Sequence, residues 1–578
     1  MKKNIIKSAL IAFMGFTMSG CMEDTYPAWG VVTEEQLDEM AQGYSGLVNA
    51  IAGHLGETTV YTDAEYDFGY PCYSLIRDLL CSDMTVYKSG YDYFYYWTTN
   101  SYLGGNYTSA GVWWVYNYKW AEKCNIIIRK ESANPEENEA HKQDFGIAYF
   151  YRSFAYFEMA RLFEYKKTGI ASLDDQADAN KIYGLTVPII RENATEADAR
   201  NTPRATFSEM YRFILDDLEK AEYYLADCRE GDRYGKNTPD ISVVYGQMAR
   251  FWLDVATRFE KKPEDLETYK ASGIDLGVNS ANEAYEKAAS YADKAIAFSS
   301  SSILTESKWF DANNGFNSAS EWMLGAVITK EMLNGNDWRN FTGHLSPEQY
   351  FGIGGITYDG SKYSNTYNGQ RTISRALYDQ ISDNDWRKGS WKAPDSNNEE
   401  GFAASRTTVP YAHYLMIPDY ASFKFRPKGC ERQDYMVAAA CDFPLMRIEE
   451  MYFIKAEALG AARGASAGIP VLESLIKTRQ PDYKCTSTGR TSFRNELMKQ
   501  KRIEFWGEGI VFWDFKRLNI QVVRGYTGTN VPEAQRLNSI EDYCAPWFTV
   551  FIMTSELGKN TALLPNPDPS GTVDPWEE

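Results

Sequence analysis

Apolar positions along the chain recur three and four residues apart over several long stretches, the spacing that lays one stripe along an α-helix. From Thr206 to Ala226, Ile214, Leu218, Ala221 and Leu225 fall at i, i+4, i+7 and i+11, and Asp216 faces Lys220 one turn on. Ser280 to Phe298 repeats the device with Tyr285, Ala289, Ala292 and Ile296, and Asp144 to Phe163 with Phe145, Tyr149, Arg152, Tyr156 and Phe163. The same spacing predicts helices at Thr33 to His54, Val112 to Lys130, Ile241 to Arg258 and Arg447 to Ala462. Small residues at Ala288, Ala289, Ala292 and Ala295 let a neighbouring helix approach closely, as tetratricopeptide pairs require. No full tetratricopeptide signature recurs, so spacing alone leaves repeats and generic helix packing both open.

Two stretches break the pattern. Residues 85 to 111 hold Tyr87, Tyr91, Tyr93, Phe94, Tyr95, Tyr96 and Trp97, then a polar run into Tyr102 and the glycines Gly104, Gly105 and Gly111. Residues 330 to 400 are rich in Gly, Asn, Tyr and Trp. Irregular segments this long inside a domain are usually functional or disordered, and their aromatic content argues for function. The tail Pro565 to Pro569 reads as a polyproline end with no chemistry.

The first twenty residues read as an address. Met1-Lys2-Lys3, an apolar run from Ala9 to Met18, then Ser19-Gly20-Cys21 make a basic region, a short apolar region and small residues before a cysteine. The apolar run is too short to span a membrane. Ser19-Gly20-Cys21 resembles a bacterial lipobox, which implies that Cys21 is acylated and holds the mature protein on a membrane through several acyl chains. Glu23-Asp24 is similar to an acidic export signal of Bacteroidetes lipoproteins and implies the outer face. The other eight cysteines show no C-x-x-C and no ligand-like spacing to the histidines, so no metal site is expected. Cys72 with Cys81 and Cys430 with Cys441 are the nearest possible disulfides, with buried free thiols the alternative.

Composition narrows the chemistry. Across 578 residues the formal charge is −19, which disfavours nucleic acid as a partner. Tyrosine is over-used at 41, while histidine is almost absent at 4, leaving little for zinc sites or imidazole bases. No hydrolase motif or phosphate-binding glycine loop is present. Flat rings with polar rims suit sugars, whose C–H faces lie on aromatic faces while amides and hydroxyls read the hydroxyl groups.

Four blocks then resemble the SusD/RagB family of Bacteroidetes outer-membrane lipoproteins. Trp113 to Tyr116 with Cys124 to Ile127 is similar to its W-x-x-Y…A-N-x-I helix, and Phe150 to Phe157 with Leu185 to Pro188 to its R-A-x-x-Y-F…V-P-L segment. Arg447 to Ala458 resembles R-x-A-E-x-x-L-x-x-A-E-A, and Arg502 to Gly509 with Trp513 to Arg517 resembles the closing motif. Gln500 and Lys501 stand where Glu and Arg are usual, and Val511 where an Arg is usual, which puts a structural salt bridge in doubt. The resemblance implies a mostly α fold, four tetratricopeptide-like helix pairs as scaffold, with long irregular loops and a few short strands. It implies a signal peptide over 1–20, an N-terminal region over 21–260 and a C-terminal region over 261–578, packed as one unit.

It further implies a non-catalytic surface receptor that captures an oligosaccharide and hands it to a SusC-like TonB-dependent transporter, without cofactor. The glycan site is expected in the first aromatic loop and in the loop after a strand at Trp322 to Thr329. Trp97 is expected to stack on a sugar, with Asn100 and Tyr102 as hydroxyl contacts and Trp338 or Tyr358 closing the arc, while Trp113, Trp114 and Trp120 are expected to be packing. A peptide receptor of the RagB type is the alternative within binding proteins. A glycoside hydrolase with a hidden carboxylate pair is the alternative class.

Overall fold

A computed structural model of the chain describes residues 43–62, 66–87, 94–311, 315–318, 320–333, 340–348, 357–358, 363–364, 371–396, 407, 409–431 and 434–578. The chain divides into Met1–Leu47 and Val48–Glu578. Of the first unit only residues 43–47 are described, the opening of α1 (Gly43–Gly53). Cys21, Glu23 and Asp24 therefore lie outside the described residues.

The scaffold of the second unit is helical. Its main helices are α2 (Tyr70–Leu80), α3 (Thr108–Ile128), α4 (Lys142–Phe163), α5 (Phe207–Tyr224), α6 (Ile241–Lys261) and α7 (Ala281–Phe298). Later come α8 (Ile448–Arg463), α9 (Ala465–Ile476), α10 (Arg490–Glu504) and α11 (Val511–Leu518). Helices α3 to α9 pack in chain order, each against the next, in the manner of tetratricopeptide pairs. No described helix is long and apolar enough to cross a membrane.

Local chemistry sets the boundaries. Thr206 opens α5 with a reciprocal cap, its hydroxyl accepting from the Glu209 N–H while Glu209 accepts from the Thr206 N–H at 2.9 Å. Asp240 and Ser280 cap α6 and α7 from one side only, their side chains accepting from the Val243 and Glu283 N–H groups. Ala284, Ala288, Ala289, Ala292 and Ala295 of α7 are buried, which lets α6 and α8 lie close on either side. Helix α4 departs from a single stripe: Phe145, Phe150, Tyr151, Phe154, Phe157 and Phe163 are buried on every side, because α3 and α5 flank it. Trp113, Trp114 and Trp120 are core residues.

Strands are short and pair antiparallel: β1 (Met84–Val86) with β5 (Arg371–Ile373), β2 (Trp322–Ala326) with β6 (Phe443–Arg447), and β3 (Thr357–Tyr358) with β4 (Tyr363–Ser364).

The late motif residues hold helices together through buried charge. Glu504 accepts from Arg387, Arg447 and Arg479, and Glu508 from Lys424 and Arg447. Burial alone would raise the Glu504 carboxyl, but the guanidiniums of Arg479, Arg447 and Arg387 outweigh it and hold the group well below the usual carboxylate range. At two of the three departures from the family pattern, Gln500 accepts from Arg387 at 2.6 Å and Lys501 pairs with Asp514 at 2.8 Å, so both positions still tie segments together. Gly509 beside this cluster admits no side chain: its φ is +69°, and a Cβ there would lie 2.5 Å from the Cα of Ser74 on α2.

Two local expectations are corrected, and one open alternative is decided. Asp216 pairs with Arg212, whereas Lys220 reaches Glu131 from outside the helix at 2.8 Å, a partner supplied by tertiary packing. The proline tail is lashed down: Asn566 is buried and donates to Phe163 O and Val550 O, and Arg204 reaches Leu564 O and the Asn566 side chain. Of the two readings open for the cysteines, the thiol is the one observed: the described cysteines form no disulfide, and all but the half-buried Cys430 are buried.

Candidate functional site

The first aromatic loop is built around a short helical turn, Tyr95–Thr98. Its carbonyls are consumed locally: Tyr95 O accepts from the Thr98 and Thr99 hydroxyls and from the Thr99 N–H, and Tyr96 O accepts from the Ser101 N–H at 2.9 Å. A helical turn sends successive side chains to different sides, so Trp97 goes inward and Tyr96 outward. The chain then enters the left-handed region twice, at Asn100 (φ +50°) and Tyr102 (φ +55°). Asn tolerates that conformation; for a bulky residue such as Tyr it is uncommon and clusters at functional sites.

The loop is anchored on the C-terminal tail. Asn100 is fully buried, with its side-chain amide donating to Pro569 O at 2.7 Å and its backbone carbonyl accepting from Gly571 N–H at 2.8 Å. Leu103 N–H donates to the Ser570 hydroxyl, and Thr554 N–H to Gly105 O. A Cβ on Gly105 would meet the Phe551 ring at 2.5 Å, so the loop lies flat on its support.

What this support presents to solvent is a row of tyrosines. Tyr96, Tyr102 and Tyr107 are 49%, 51% and 46% exposed. The Tyr102 ring centroid lies 5.0 Å from that of Tyr96 and 5.0 Å from that of Tyr107, edge to face in both cases. Each ring stiffens its neighbour, and the row offers apolar faces together with phenol hydroxyls, the combination that suits a sugar or peptide chain.

The expected site residues separate accordingly. Tyr102 stands at the centre of the exposed row. Trp97 is only 4% exposed, set edge-on to Tyr66 at 5.3 Å and bordering a cavity of about 20 Å³. Its ring therefore faces Leu80, Trp113 and Trp547 inside the molecule and presents no open face for stacking. Asn100 spends its side chain on the tail. Trp338 lies outside the described residues, and Tyr358 is placed on β3, paired with Tyr363. Tyr96 and Tyr107 were not singled out from the sequence. The signal available was residue type, since the phenol hydroxyl makes Tyr the aromatic best suited to a half-wet position.

A helical scaffold that holds a row of exposed aromatic rings on a pinned loop has the form of a binding surface, and sequence comparison places the chain among binding proteins. Residues 73–253 match the family model described as starch-binding and associating with outer membrane, and residues 356–545 match that of the SusD family. The chain belongs to the SusD/RagB family, whose members are carbohydrate-binding, non-catalytic proteins associated with the outer membrane at the cell surface.

Among solved structures, it is similar to a SusD-like carbohydrate binding protein from Bacteroides vulgatus, with 20% identity, a TM-score of 0.63, and 90% of this chain and 96% of that one covered. A SusD superfamily protein from Bacteroides thetaiotaomicron gives 18% identity, a TM-score of 0.61 and coverage of 92% and 99%. Surface glycan-binding protein A from the same organism, solved in complex with laminarihexaose, gives 15%, 0.59 and coverage of 91% and 99%. Among curated proteins nothing matches the chain.

Proposed function

We infer that this chain is a cell-surface lipoprotein that captures oligosaccharides and delivers them to a partner TonB-dependent transporter of the outer membrane. The observation that carries the reading is the row Tyr96, Tyr102 and Tyr107, held edge to face on a loop that the C-terminal tail pins in place. A pyranose chain lays its C–H faces on these rings, and the phenol and loop hydroxyls meet its own hydroxyls. The structure with laminarihexaose among the similar folds supports a glycan as cargo. Cys21 carries the lipid anchor in this reading, and Glu23-Asp24 directs the protein to the outer face.

Calorimetric titration of the purified protein with a panel of neutral oligosaccharides, alongside a reducing-end assay, tests it. Binding with dissociation constants between micromolar and millimolar, about −8 to −4 kcal/mol, and no release of reducing ends is the expected result. Binding confined to peptides transfers the tyrosine face to a peptide cargo, and new reducing ends overturn the non-catalytic reading. Co-purification with a large β-barrel from membranes in mild detergent tests the delivery step.

A further inference from the structure

A second concavity shares no lining residue with the tyrosine row. It measures about 340 Å³, inside the range of about 300–1,000 Å³ usual for small-molecule sites, and lies where the C-terminal ends of α4, α6 and α11 meet. Five lysines line it, Lys166, Lys167, Lys261, Lys262 and Lys516, on a chain whose formal charge is −19. The cleft's guanidiniums have partners: Arg258 pairs with Glu164 and Asp265, Arg517 with Glu457 and Asp514, and Arg161 with Glu158. Glu164 and Asp265 are thereby spent, and Asp254 accepts from the Tyr211 hydroxyl. Asp542 is the remaining carboxylate of the lining.

Helix capping accounts for two of the lysines. Lys516 Nζ donates to Leu162 O and Phe548 O, and Lys166 Nζ to Lys516 O, which satisfies carbonyls orphaned at helix ends. Burial pushes both ammonium groups down, Lys516 to about 8, so an anion close by would restore charge that the fold alone disfavours. The ammonium groups of Lys167, Lys261 and Lys262 form no hydrogen bond and no ion pair among the described residues, and Lys167 only approaches the Tyr183 ring at 5.5 Å. The wall adds Tyr543, a 39% exposed ring. Unspent cations beside an exposed aromatic face are the elements that recognise a charged sugar.

We propose that this cleft binds a sugar residue carrying an oxyanion, a uronate carboxylate or a sulfate or phosphate ester, with the anion among Lys167, Lys261 and Lys262 and the ring against Tyr543. The proposal concerns a second site and does not rest on the tyrosine row.

The test titrates the whole mature protein with glucuronic acid, glucose 6-sulfate, glucose 6-phosphate, glucose and inorganic phosphate. The expected result is that at least one acidic sugar binds tenfold or more tightly than both glucose and inorganic phosphate, and more weakly as salt is raised. Combined Lys167→Gln, Lys261→Gln and Lys262→Gln, at two exposed positions and one half-buried one, should weaken that binding at least tenfold while the melting temperature and neutral-oligosaccharide binding stay unchanged. Tyr102→Ala should leave it intact. Acidic sugars binding no better than glucose, inorganic phosphate binding as well as they do, or a lysine variant that binds like the parent would each overturn the proposal. Loss of neutral-oligosaccharide binding in Tyr102→Ala bears on the tyrosine row alone, so the two readings fail separately.

Discussion

The side-chain amide of Asn100 donates a 2.7 Å hydrogen bond to the carbonyl of Pro569, 469 residues further along the chain. The bond joins the left-handed corner of the aromatic loop to the tail, so the tail shapes a face it does not itself form. Asn100→Gly keeps the backbone conformation available and removes only the clamp. It is expected to cost about 1 kcal/mol of stability, and to weaken glycan binding further through a loosened loop. Chemical denaturation and calorimetry on the same preparation separate the two effects; unchanged affinity would show that the tail does not organise the binding face.

Tyr102 lies between two rings, so its removal also unseats Tyr96 and Tyr107. Tyr102→Ala is expected to lose about 0.5 to 1.5 kcal/mol of stacking plus the buried area of the ring, a weakening of about tenfold or more. Tyr102→Phe should keep most of the affinity if the ring face is the contact. The melting temperature should stay within a degree or two of the parent in both variants, because the ring is half exposed.

Trp97 gives the opposite pattern. Its enclosed ring leaves a cavity when truncated, and Trp97→Ala should destabilise the fold by about 3 to 5 kcal/mol. Differential scanning calorimetry checks the loss. Protein that remains folded should still bind; a stable Trp97→Ala variant without affinity would place the sugar at this ring after all.

Glu504 meets three guanidiniums in a dry interior. Glu504→Gln leaves those charges under-compensated and is expected to cost about 3 to 5 kcal/mol. Urea unfolding reads the loss, and a variant as stable as the parent would mean that the arginines find other partners.

Asp78 should shape the pH dependence of stability. Burial pushes its carboxyl up to about 7, against the pull of the Gly509 N–H, Lys424 and Arg77. Between about pH 4 and 7 the folded chain holds a proton that the unfolded chain has released, so this group's contribution declines as pH rises through that window. Asp78→Asn retains an acceptor for the Gly509 N–H and removes the ionisation. The variant should gain on the parent from pH 4 to pH 7.5, by at most about 4 kcal/mol. Parallel melting curves across that range would expose the error if the difference stays flat.

Helix positions were legible because their causes are local. Thr206 with Glu209 carries both halves of a cap within four residues, Ser280 accepts from the Glu283 N–H, and the apolar stripe between cap and end needs no partner to be recognised. Helix α2 and helices α9 to α11 escaped notice, because their apolar stripes are short or, as at Pro470 inside α9, interrupted. The closing motif was readable as structural charge, and Glu504 and Glu508 take that role.

The sequence by itself determined the helical scaffold, the core tryptophans of α3, the family and the presence of an aromatic loop, since periodicity, caps and motif spacing are properties of neighbouring residues. Which rings of that loop meet water was decided only by the tertiary structure. Trp97 and Tyr96 are adjacent and equally aromatic in the sequence, and a single helical turn resting on Trp113 and Trp547 sends one inward and leaves the other outside. The same holds for Asn100 with Pro569 and for Lys220 with Glu131, partners too distant in the chain for any local pattern to announce. Burial and pairing across such separations follow from how the helices stack, because a side chain's environment is made by whatever the fold brings against it.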